Sequence, residues 1–425
     1  MRRFISIYKG IPIMISFGTY ITEQKNTHMT HLEDQVIYGG VKGARDAILA
    51  LRSLRDMLAG SSTKAVDVTV KWDGAPAVFA GIDPSDGQFF VAKKGIFNKN
   101  PMVYKNHAEI EADTSGDLQA KLKIAFTEMS KLGITGVVQG DVMFSGSDVK
   151  TETIDGKKYV TFHPNTIAYA VDADSEEAKK IKKAKIGIVF HTSYSGGTFE
   201  TMTANYGVDV SKFNKVDTIW AQDAELRDLS GNATLTKEDT AEVTTALSQA
   251  GKIFQKIAGS TLKEIEANQE LARMIETYNN SFLRNKTEVT NTAKHVTGLI
   301  QYVETKFQKE ADKRSTDKGK SAQYAKRDEL LKFFNPKNKA NLKLVFDLQK
   351  AIASAKLIII NKLNKLNSIN TFVKTKNGFK VTGHEGFVAI DRIGGGAVKL
   401  VDRLEFSTNN FDPNIIKGWD SPSRG

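Results

Sequence analysis

The 425-residue chain contains no cysteine. This absence excludes disulfide bonds, thiolate metal sites and cysteine nucleophiles, and it fits a protein of the reducing cytoplasm. The chain also has no apolar run long enough to span a bilayer. The apolar stretch 357–360, for example, is followed at once by Asn361 and Lys362. We therefore expect a cytoplasmic protein without a membrane partner.

Several common patterns of catalysis and ligand binding are missing as well. No serine lies in the nucleophile-elbow pattern of hydrolases. Only His28 and His31 have close metal-ligand spacing, and their polar terminal setting does not favour a zinc site. The triple glycine 394–396 is too isolated for a phosphate-binding loop and predicts a turn between strands. These patterns therefore do not favour a serine nucleophile, a zinc site or a glycine-rich phosphate-binding loop.

Positive charge is in excess, and it is concentrated in one region. The chain has a net charge of +11 and a pI near 9.3. Residues 251–380 contain 26 lysines and arginines against 12 acidic residues, a net charge of +14, which leaves about −3 for the rest. Such a segment indicates a polyanionic partner, nucleic acid above all. An ordinary lysine-rich, solvated helical surface is the alternative, and it stays open.

The hydrophobic pattern predicts an α+β fold with an antiparallel core, because strands and helices mix without a βαβ rhythm. We expect a core domain formed by 31–216 and 372–425, a basic helical insertion at 217–371, and an N-terminal extension at 1–30. Helices are predicted at 32–58, 118–132 and throughout 235–366, with a polar loop at 312–323 and a last helix at 341–366. Strands are predicted at 66–70, 77–82, 89–93, 136–144, 158–162, 166–172, 185–192, 379–381, 386–390 and 397–401.

The most informative motif begins where the first of these strands ends. An alternating strand leads to Lys71, and Asp73 and Gly74 follow it. A lysine with a neutral amine can attack a phosphorus centre and leave a hydrolysable phosphoramide. A strand lysine alone is usually a solvated surface residue. Further segments in a fixed order favour the catalytic interpretation: 90–95 with Lys93 and Lys94, 138–144 with Asp141, 167–172 with Tyr169, 186–190 with Phe190, 385–390 with Glu385, and 398–401 with Lys399.

With these segments in this order, the sequence resembles the covalent nucleotidyltransferase superfamily of polynucleotide ligases and capping enzymes. The resemblance covers roughly 66–192 and 379–403. It implies that Lys71 is the nucleophile that takes AMP from ATP, within a nucleotide-binding motif that includes Asp73 and Gly74. It also implies that Lys399 contacts the α-phosphate as pyrophosphate leaves.

The same resemblance implies roles for the other segments. Lys93 or Lys94 would place a cation on the phosphate. Asp141, where many ligases have glutamate, would contact the ribose and help bind metal. Tyr169 or Phe190 would stack on the purine, and Glu385 would help hold Mg²⁺ or Mn²⁺. The implied cofactors are therefore ATP and a divalent cation.

Two departures from the family pattern bear on the function. The lysine strand commonly reads Lys-x-Lys, but Val401 stands at the second lysine position, where Arg403 or Arg392 could substitute. The residues after Lys399 are too few for the C-terminal oligonucleotide-binding barrel of DNA ligases and capping enzymes. RNA ligases lack that barrel, so the resemblance favours an RNA ligase without it.

The N-terminus has a resemblance of its own. Residues 14–23 are similar to the short capsid-targeting peptides of T-even-like phages, which are cut after an Ile/Leu-x-Glu triplet such as 21–23. A frayed terminus is the alternative. The peptide would imply a phage-encoded protein in the host cytoplasm that is packaged in the virion.

We therefore expect an ATP-dependent polynucleotide ligase, with RNA favoured over DNA as substrate, that acts through lysyl-AMP. Two alternatives stay open. One is a phage nucleic-acid-binding protein with a degenerate nucleotidyltransferase fold, and the other is an adenylyltransferase acting on a substrate other than nucleic acid. The helical insertion is expected to bind nucleic acid and to be dispensable for lysyl-AMP formation.

Overall fold

The structure is a computed structural model that describes residues 30–59, 66–226, 235–366, 369–391 and 397–419. The predicted targeting peptide, nearly all of the predicted extension 1–30, the predicted turn at 394–396 and Arg392 lie outside the described residues. None of the helices within these ranges is both long and apolar enough to cross a membrane.

The described residues form twelve α-helices and fifteen strands, which mix along the chain without a regular βαβ alternation. The helices are α1 Gln35–Tyr38, α2 Gly40–Leu58, α3 His107–Asp113, α4 Gly116–Met129, α5 Glu176–Lys183, α6 Lys237–Lys256, α7 Gly259–Ala267, α8 Gln269–Arg284, α9 Thr292–Asp312, α10 Asp317–Leu331, α11 Pro336–Leu363 and α12 Arg403–Phe411. The strands are β1 Val66–Lys71, β2 Ala77–Ile82, β3 Phe89–Ala92, β4 Val137–Ser145, β5 Lys150–Ile154, β6 Lys157–Phe162, β7 Ile167–Asp172, β8 Ile186–Ser195, β9 Thr203–Tyr206, β10 Ile219–Asp223, β11 Asn370–Thr375, β12 Gly378–Val381, β13 Gly386–Asp391, β14 Ala397–Leu400 and β15 Ile415–Ile416.

These strands form three sheets. The first, sheet A, has the order β1-β13-β14, and the second has the order β10-β8-β4-β2-β3 with β9 beside β8. The third has the order β12-β11-β7-β6-β5 with β15 beside β11. All pairs are antiparallel except β8 and β10. The prediction of an α+β fold with mainly antiparallel strands is therefore confirmed.

Several elements differ from the prediction. The pattern missed α3, α5, α12, β5, β9, β10, β11 and β15, which are short, and the loop predicted at 312–323 is wrong. Helix α10 starts inside that range, where the Thr316 hydroxyl accepts a hydrogen bond from Gly319 N at 3.1 Å. An N-cap of this kind begins a helix whatever the polarity of the residues behind it. The polar composition there reflects exposure and not the absence of a helix.

Sheet A has one apolar face, which packs on the helices. Val68, Val70, Phe387, Ala389 and Leu400 are buried in one hydrophobic cluster with residues of α2, α6, α8, α9 and α11. Because side chains alternate along a strand, the intervening residues of β1, β13 and β14 face the other way. The helices therefore support the face opposite to the one that carries Lys71 and Lys399.

This packing corrects the predicted domain organisation. Helices α1 and α2 share the cluster with α6, α7 and α11, so the N-terminal helices belong to one helical body, which we define as residues 32–58 and 237–363. The boundary at 217 is too early, since β10 pairs with β8 from Ile219 opposite Ile186. Removal of the helices would expose the apolar face of sheet A to water. The expectation that they are dispensable for chemistry at Lys71 stays a prediction, and this packing makes a loss of stability the expected cost of removing them.

Candidate active site

Lys71 lies beside Glu385 at one end of sheet A. In the antiparallel pair of β1 and β13, Lys71 lies opposite Gly386. Glu385, which precedes Gly386, therefore lies next to the lysine side chain. The Lys71 Nζ and Glu385 Oε1 atoms form an ion pair, with 36% of the lysine side chain and 13% of the glutamate side chain exposed. The structure thus brings two segments that are far apart in the chain together at the predicted nucleophile.

Lys399 lies on the same face of the sheet. Val388 pairs with both Thr69 and Lys399, and Lys71 is two residues beyond Thr69 on β1. The period-two alternation of strands therefore puts both lysines on one face. Burial lowers the pKa of the Lys399 amine, and the nearby positive charge of Lys71 lowers it further. Two cations beside one carboxylate form a site for an anionic group.

The second position of the lysine strand is closed to solvent. Val401 is 1% exposed and packs directly against Gly386. A Cβ atom on this glycine would lie only 2.6 Å from the Val401 Cγ2 atom. Arg403 does not substitute for the missing lysine, which corrects that prediction. Its Nη1 atom lies 2.9 Å from Asp34 Oδ2 and 3.4 Å from Glu33 Oε1, both in the helical body.

Asp73 has a different role from the predicted contact with the nucleotide. Its Oδ2 atom accepts hydrogen bonds from Thr166 N at 2.7 Å and Ile167 N at 2.8 Å, and its Oδ1 accepts one from Asn165 Nδ2 at 3.0 Å. Burial raises the pKa of the carboxyl to about 7, and the negative charge of Glu385 adds to the rise. Asp73 is thus an anchor that holds the loop after Lys71 to the start of β7.

Gly74 packs directly against Asp141 in the middle of β4. A Cβ atom at position 74 would lie 2.7 Å from both Asp141 Cβ and Met143 Sδ. The next peptide N–H, that of Ala75, donates to Val142 O at 2.9 Å, which fixes the chain against the strand. Glycine is therefore needed here for close approach, and this approach brings Asp141 to the loop that follows Lys71.

Replacement of Gly74 with alanine is expected to destabilise the fold by about 1 to 3 kcal/mol, because the added methyl group overpacks this contact. Urea unfolding would measure the loss. Gly197→Ala is the matched control, since nothing lies within 4 Å of a Cβ there and no positive φ is involved. Equal stability of the Gly74 and Gly197 variants would contradict the packing described here.

Neither aromatic residue predicted to stack on a purine is accessible. Tyr169 and Phe190 are both fully buried. The Tyr169 hydroxyl accepts a hydrogen bond from Asp73 N at 2.7 Å, and its ring lies 4.9 Å from that of Trp72. Phe190 packs against Phe213 in the cluster that α4 covers. The stacking prediction is wrong for both residues, because each ring is part of a core.

His191 is the residue that the sequence interpretation missed. Its Nε2 atom lies 3.6 Å from Asp141 Oδ2, and its Nδ1 lies 2.7 Å from Thr192 Oγ1. Asp141 pairs with Val189, and the following pairs are Gly140 with Phe190 and Gln139 with Thr192, so His191 is the extra residue at a shift of register between β4 and β8. Because such a shift interrupts the regular alternation of side chains, periodicity in the sequence could not have placed His191 beside Asp141.

The lysines after β3 are not part of this cluster. Lys93 forms an ion pair with Asp113 of α3 at 2.7 Å and lies 5.8 Å from the ring centre of Tyr104. Lys94 is exposed at the start of a short 3-10 helix, Lys94–Phe97. Within the part of the chain that the structure describes, no hydrogen bond or ion pair joins either lysine to Lys71, so Lys399 is the second cation of the site.

The predicted metal ligands were Glu385 and Asp141. Within the described residues, no group of three or more histidines, aspartates or glutamates is close enough together to hold a metal ion. The structure therefore offers separate carboxylates at this site. Mg²⁺ is commonly bound by one or two carboxylates and completes its coordination with phosphate oxygens and water, so the two residues remain compatible with the predicted cation.

Comparison with known proteins identifies a family. Residues 26–415 match the model of DUF6267, which is described as a family of unknown function. No curated protein and no solved structure matches the chain. Because the match covers far more than half of the 425 residues, the chain belongs to the DUF6267 family.

Proposed function

We propose that this protein is an ATP-dependent polynucleotide ligase, with RNA favoured over DNA, that acts through a lysyl-AMP intermediate. The observation that carries the proposal is the arrangement on sheet A. Lys71 ends β1 in contact with Glu385, and Lys399 lies on the same face two strands away. A nucleophilic amine, a carboxylate and a second cation are the groups that nucleotidyl transfer requires.

The arrangement assigns a role to each of these residues. The neutral amine of Lys71 attacks the α-phosphorus of ATP, a P–N bond forms, and the P–O bond to pyrophosphate breaks. Glu385, in contact with Nζ, is placed to take the proton that the amine loses. The positive charge of Lys399 stabilises the negative charge that develops on the phosphates. AMP then passes to a 5′-phosphate end, and a 3′-hydroxyl displaces it as the strand is sealed.

One observation favours a second candidate function. The buried Val401 leaves the lysine strand with one cation, and Arg403 is held by Asp34 and Glu33. A site with less positive charge would stabilise the departing pyrophosphate less. The alternative is therefore a nucleic-acid-binding protein that keeps the strands but forms no lysyl-AMP. An adenylyltransferase for another substrate is the third possibility.

Two assays separate these functions. Incubation with α-labelled ATP and Mg²⁺, followed by a denaturing gel, shows whether the chain becomes covalently labelled, which the binding protein would not. A 5′-phosphorylated strand, single or in a nick, is then added to the labelled protein. Transfer of label to the strand and its sealing support a ligase. Stable labelling without transfer to RNA or DNA would instead favour the adenylyltransferase.

The helical body provides a candidate surface for the nucleic acid. Among the exposed cations of α9, α10 and their connection, four lie toward the connection and have side chains without a hydrogen bond or ion pair to the described residues: Lys309, Arg314, Lys318 and Lys326. Two tyrosines on these helices carry further cations on their rings, with Lys306 5.9 Å from the centre of Tyr302 and Arg327 5.0 Å from that of Tyr324. Cations next to aromatic rings are typical of surfaces that bind single strands.

Replacement of these four cations with glutamine is expected to weaken binding of single-stranded RNA by the full-length chain. If each contacts one phosphate, the slope of log affinity against log salt should become shallower by about 3, at 0.7 per phosphate. The matched control replaces four lysines of α5, which lie in another part of the structure: Lys179, Lys180, Lys182 and Lys183. Equal salt slopes for the two variants would favour the alternative of an ordinary solvated surface.

A further inference from the structure

Helix α12 contacts the loop that leads into Glu385. The Thr382 hydroxyl donates a hydrogen bond to Glu405 Oε1 at 2.7 Å, and Gly383 N donates to the same oxygen at 3.0 Å. Asn409, one turn further along α12, donates from Nδ2 to the Thr382 hydroxyl at 2.8 Å. One carboxylate oxygen of α12 therefore binds two consecutive residues immediately before the active-site loop reaches Glu385.

The other backbone groups of this loop, residues 382–384, are also hydrogen-bonded. Thr382 N donates to a backbone carbonyl of β11 at 3.1 Å, and His384 N donates to Asn364 Oδ1 at 3.3 Å. At Gly383, a Cβ atom would lie 2.7 Å from Asn364 Nδ2 and 3.1 Å from Glu405 Oε2. The backbone N–H groups of all three residues are thus bonded, and the Glu405 side chain closes over the middle one.

The same helix reaches the other side of the candidate site. The Thr166 hydroxyl donates to Asn410 Oδ1 at 3.0 Å, while Thr166 N donates to Asp73 Oδ2 at 2.7 Å. Helix α12 therefore contacts both supports of the Lys71 segment, the Glu385 loop on one side and the turn that binds Asp73 on the other.

Both ends of α12 are attached to the helical body. At its start, Arg403 Nη1 lies 2.9 Å from Asp34 Oδ2, and the guanidinium is largely buried. Just after its end, Asp412 Oδ2 lies 2.6 Å from Lys286 Nζ, next to α8. The helix is thus a fixed link between the helical body and the two loops.

We propose that α12 is a positioning element, in which Glu405 fixes the backbone before Glu385 and so keeps the Glu385 carboxylate against the Lys71 amine. The catalytic meaning of this role rests on the proposed function. A carboxylate on a loop moves with its backbone, and misplacement of a reacting group by about 1 Å can cost about 100-fold in rate. A side chain that makes two bonds to that backbone is therefore a determinant of the geometry at Lys71.

The test that needs no enzymatic activity measures the reactivity of single lysines. The full-length chain is treated with limiting acetic anhydride at several pH values, and modification of each lysine is quantified by mass spectrometry. Loss of the Glu385 contact should increase modification of Lys71 by about fivefold in Glu405→Ala, as expected for removal of a partly buried ion pair. Glu405→Gln keeps the acceptor oxygen and should match the wild type.

Glu109→Ala is the matched control. Glu109 also binds a loop, since Oε2 accepts from Lys105 N at 2.7 Å and Oε1 from Asn106 Nδ2 at 2.7 Å, but that loop lies next to α3. Its loss should leave Lys71 unchanged. If Glu405→Ala fails to fold, Thr382→Val removes one of the two bonds with nearly the same side-chain shape and should give a smaller increase at Lys71 alone.

The adenylylation assay supplies the catalytic readout. In single turnover, Glu405→Ala should lower the rate of lysyl-AMP formation by about 10- to 100-fold with little change in the ATP concentration for half-maximal rate, as for residues that orient an active-site group. Glu405→Gln should restore the rate. Unchanged Lys71 reactivity in a folded Glu405→Ala variant would overturn the positioning role. Absence of lysyl-AMP in the wild type would instead overturn the ligase proposal, while the lysine modification would still decide the role of Glu405.

Discussion

Replacement of Lys71 with alanine is expected to abolish covalent labelling by α-labelled ATP, a loss of at least about 10³-fold, because the proposed P–N bond has no other nucleophile. Lys71→Arg should be equally inactive, since a guanidinium stays protonated near neutral pH and cannot attack phosphorus. The wild-type label should survive boiling in detergent and be released by acid, as a phosphoramide is. Quantitative gel autoradiography measures all three properties.

The structure provides a sharp control for this prediction. Lys94 is exposed and makes no hydrogen bond or ion pair with the described residues, although it belongs to another of the predicted segments, 90–95. Lys94→Ala should be labelled like the wild type. Lys399→Ala should form lysyl-AMP slowly but measurably, because Lys399 stabilises charge and does not form the bond. Wild-type labelling of Lys71→Ala would show that the reactive lysine lies elsewhere and would refute the assignment.

The second large effect is expected in the buried ion cluster that joins α11 to the segment before α1. Lys356 Nζ lies 2.8 and 2.7 Å from the two carboxylate oxygens of Glu33, and only 2% and 7% of the two side chains are exposed. Although burial opposes it, the positive charges of Lys356 and Arg403 lower the pKa of Glu33 to about 2. Lys356→Met should therefore cost about 3 to 5 kcal/mol in the free energy of unfolding, since it leaves a buried carboxylate with a weakened set of partners.

A double-mutant cycle tests the origin of this loss. The variant with both Glu33→Gln and Lys356→Met should be more stable than the sum of the single effects predicts by about 1 to 3 kcal/mol, because no unpaired charge remains. Lys343→Met is the control on the same helix, where the partner Asp347 is one turn away and both side chains are partly exposed. It should cost less than about 1 kcal/mol. Purely additive effects at positions 33 and 356 would contradict the coupling.

The same cluster predicts a direction of pH dependence. The pKa of Glu33 is below its usual 4.5 in the folded chain, so its stabilising contribution is complete above pH 4.5 and is lost as the pH falls through about 2. We therefore expect the difference in the free energy of unfolding between the wild type and the double variant to become smaller as the pH falls from 6 to 2. Urea unfolding at each pH measures this difference. The cluster stabilises the contact between the helical body and α12, and with it the geometry around Glu385.

The sequence by itself determined the local features of this protein. Alternation of apolar residues located β1 and β2 correctly, and the α+β class followed from the order of the elements. The resemblance to the covalent nucleotidyltransferases, carried by short motifs in a fixed order, implied that the segments of Lys71, Glu385 and Lys399 belong together. The positions of the strands and the fold class depend on short-range periodicity, which can be read from a single chain.

Only the tertiary structure decided the pairing of residues far apart in the chain. It showed that Asp73 binds backbone N–H groups near Thr166, and that His191 and not Phe190 lies on the side of Asp141. The face on which a strand residue lies depends on the register with its partners, and a shift of one residue reverses it. The helices were predicted to form a separable insertion because their basic composition indicates charge and exposure to solvent. Their packing against the apolar face of sheet A depends on contacts between distant segments, which composition does not contain.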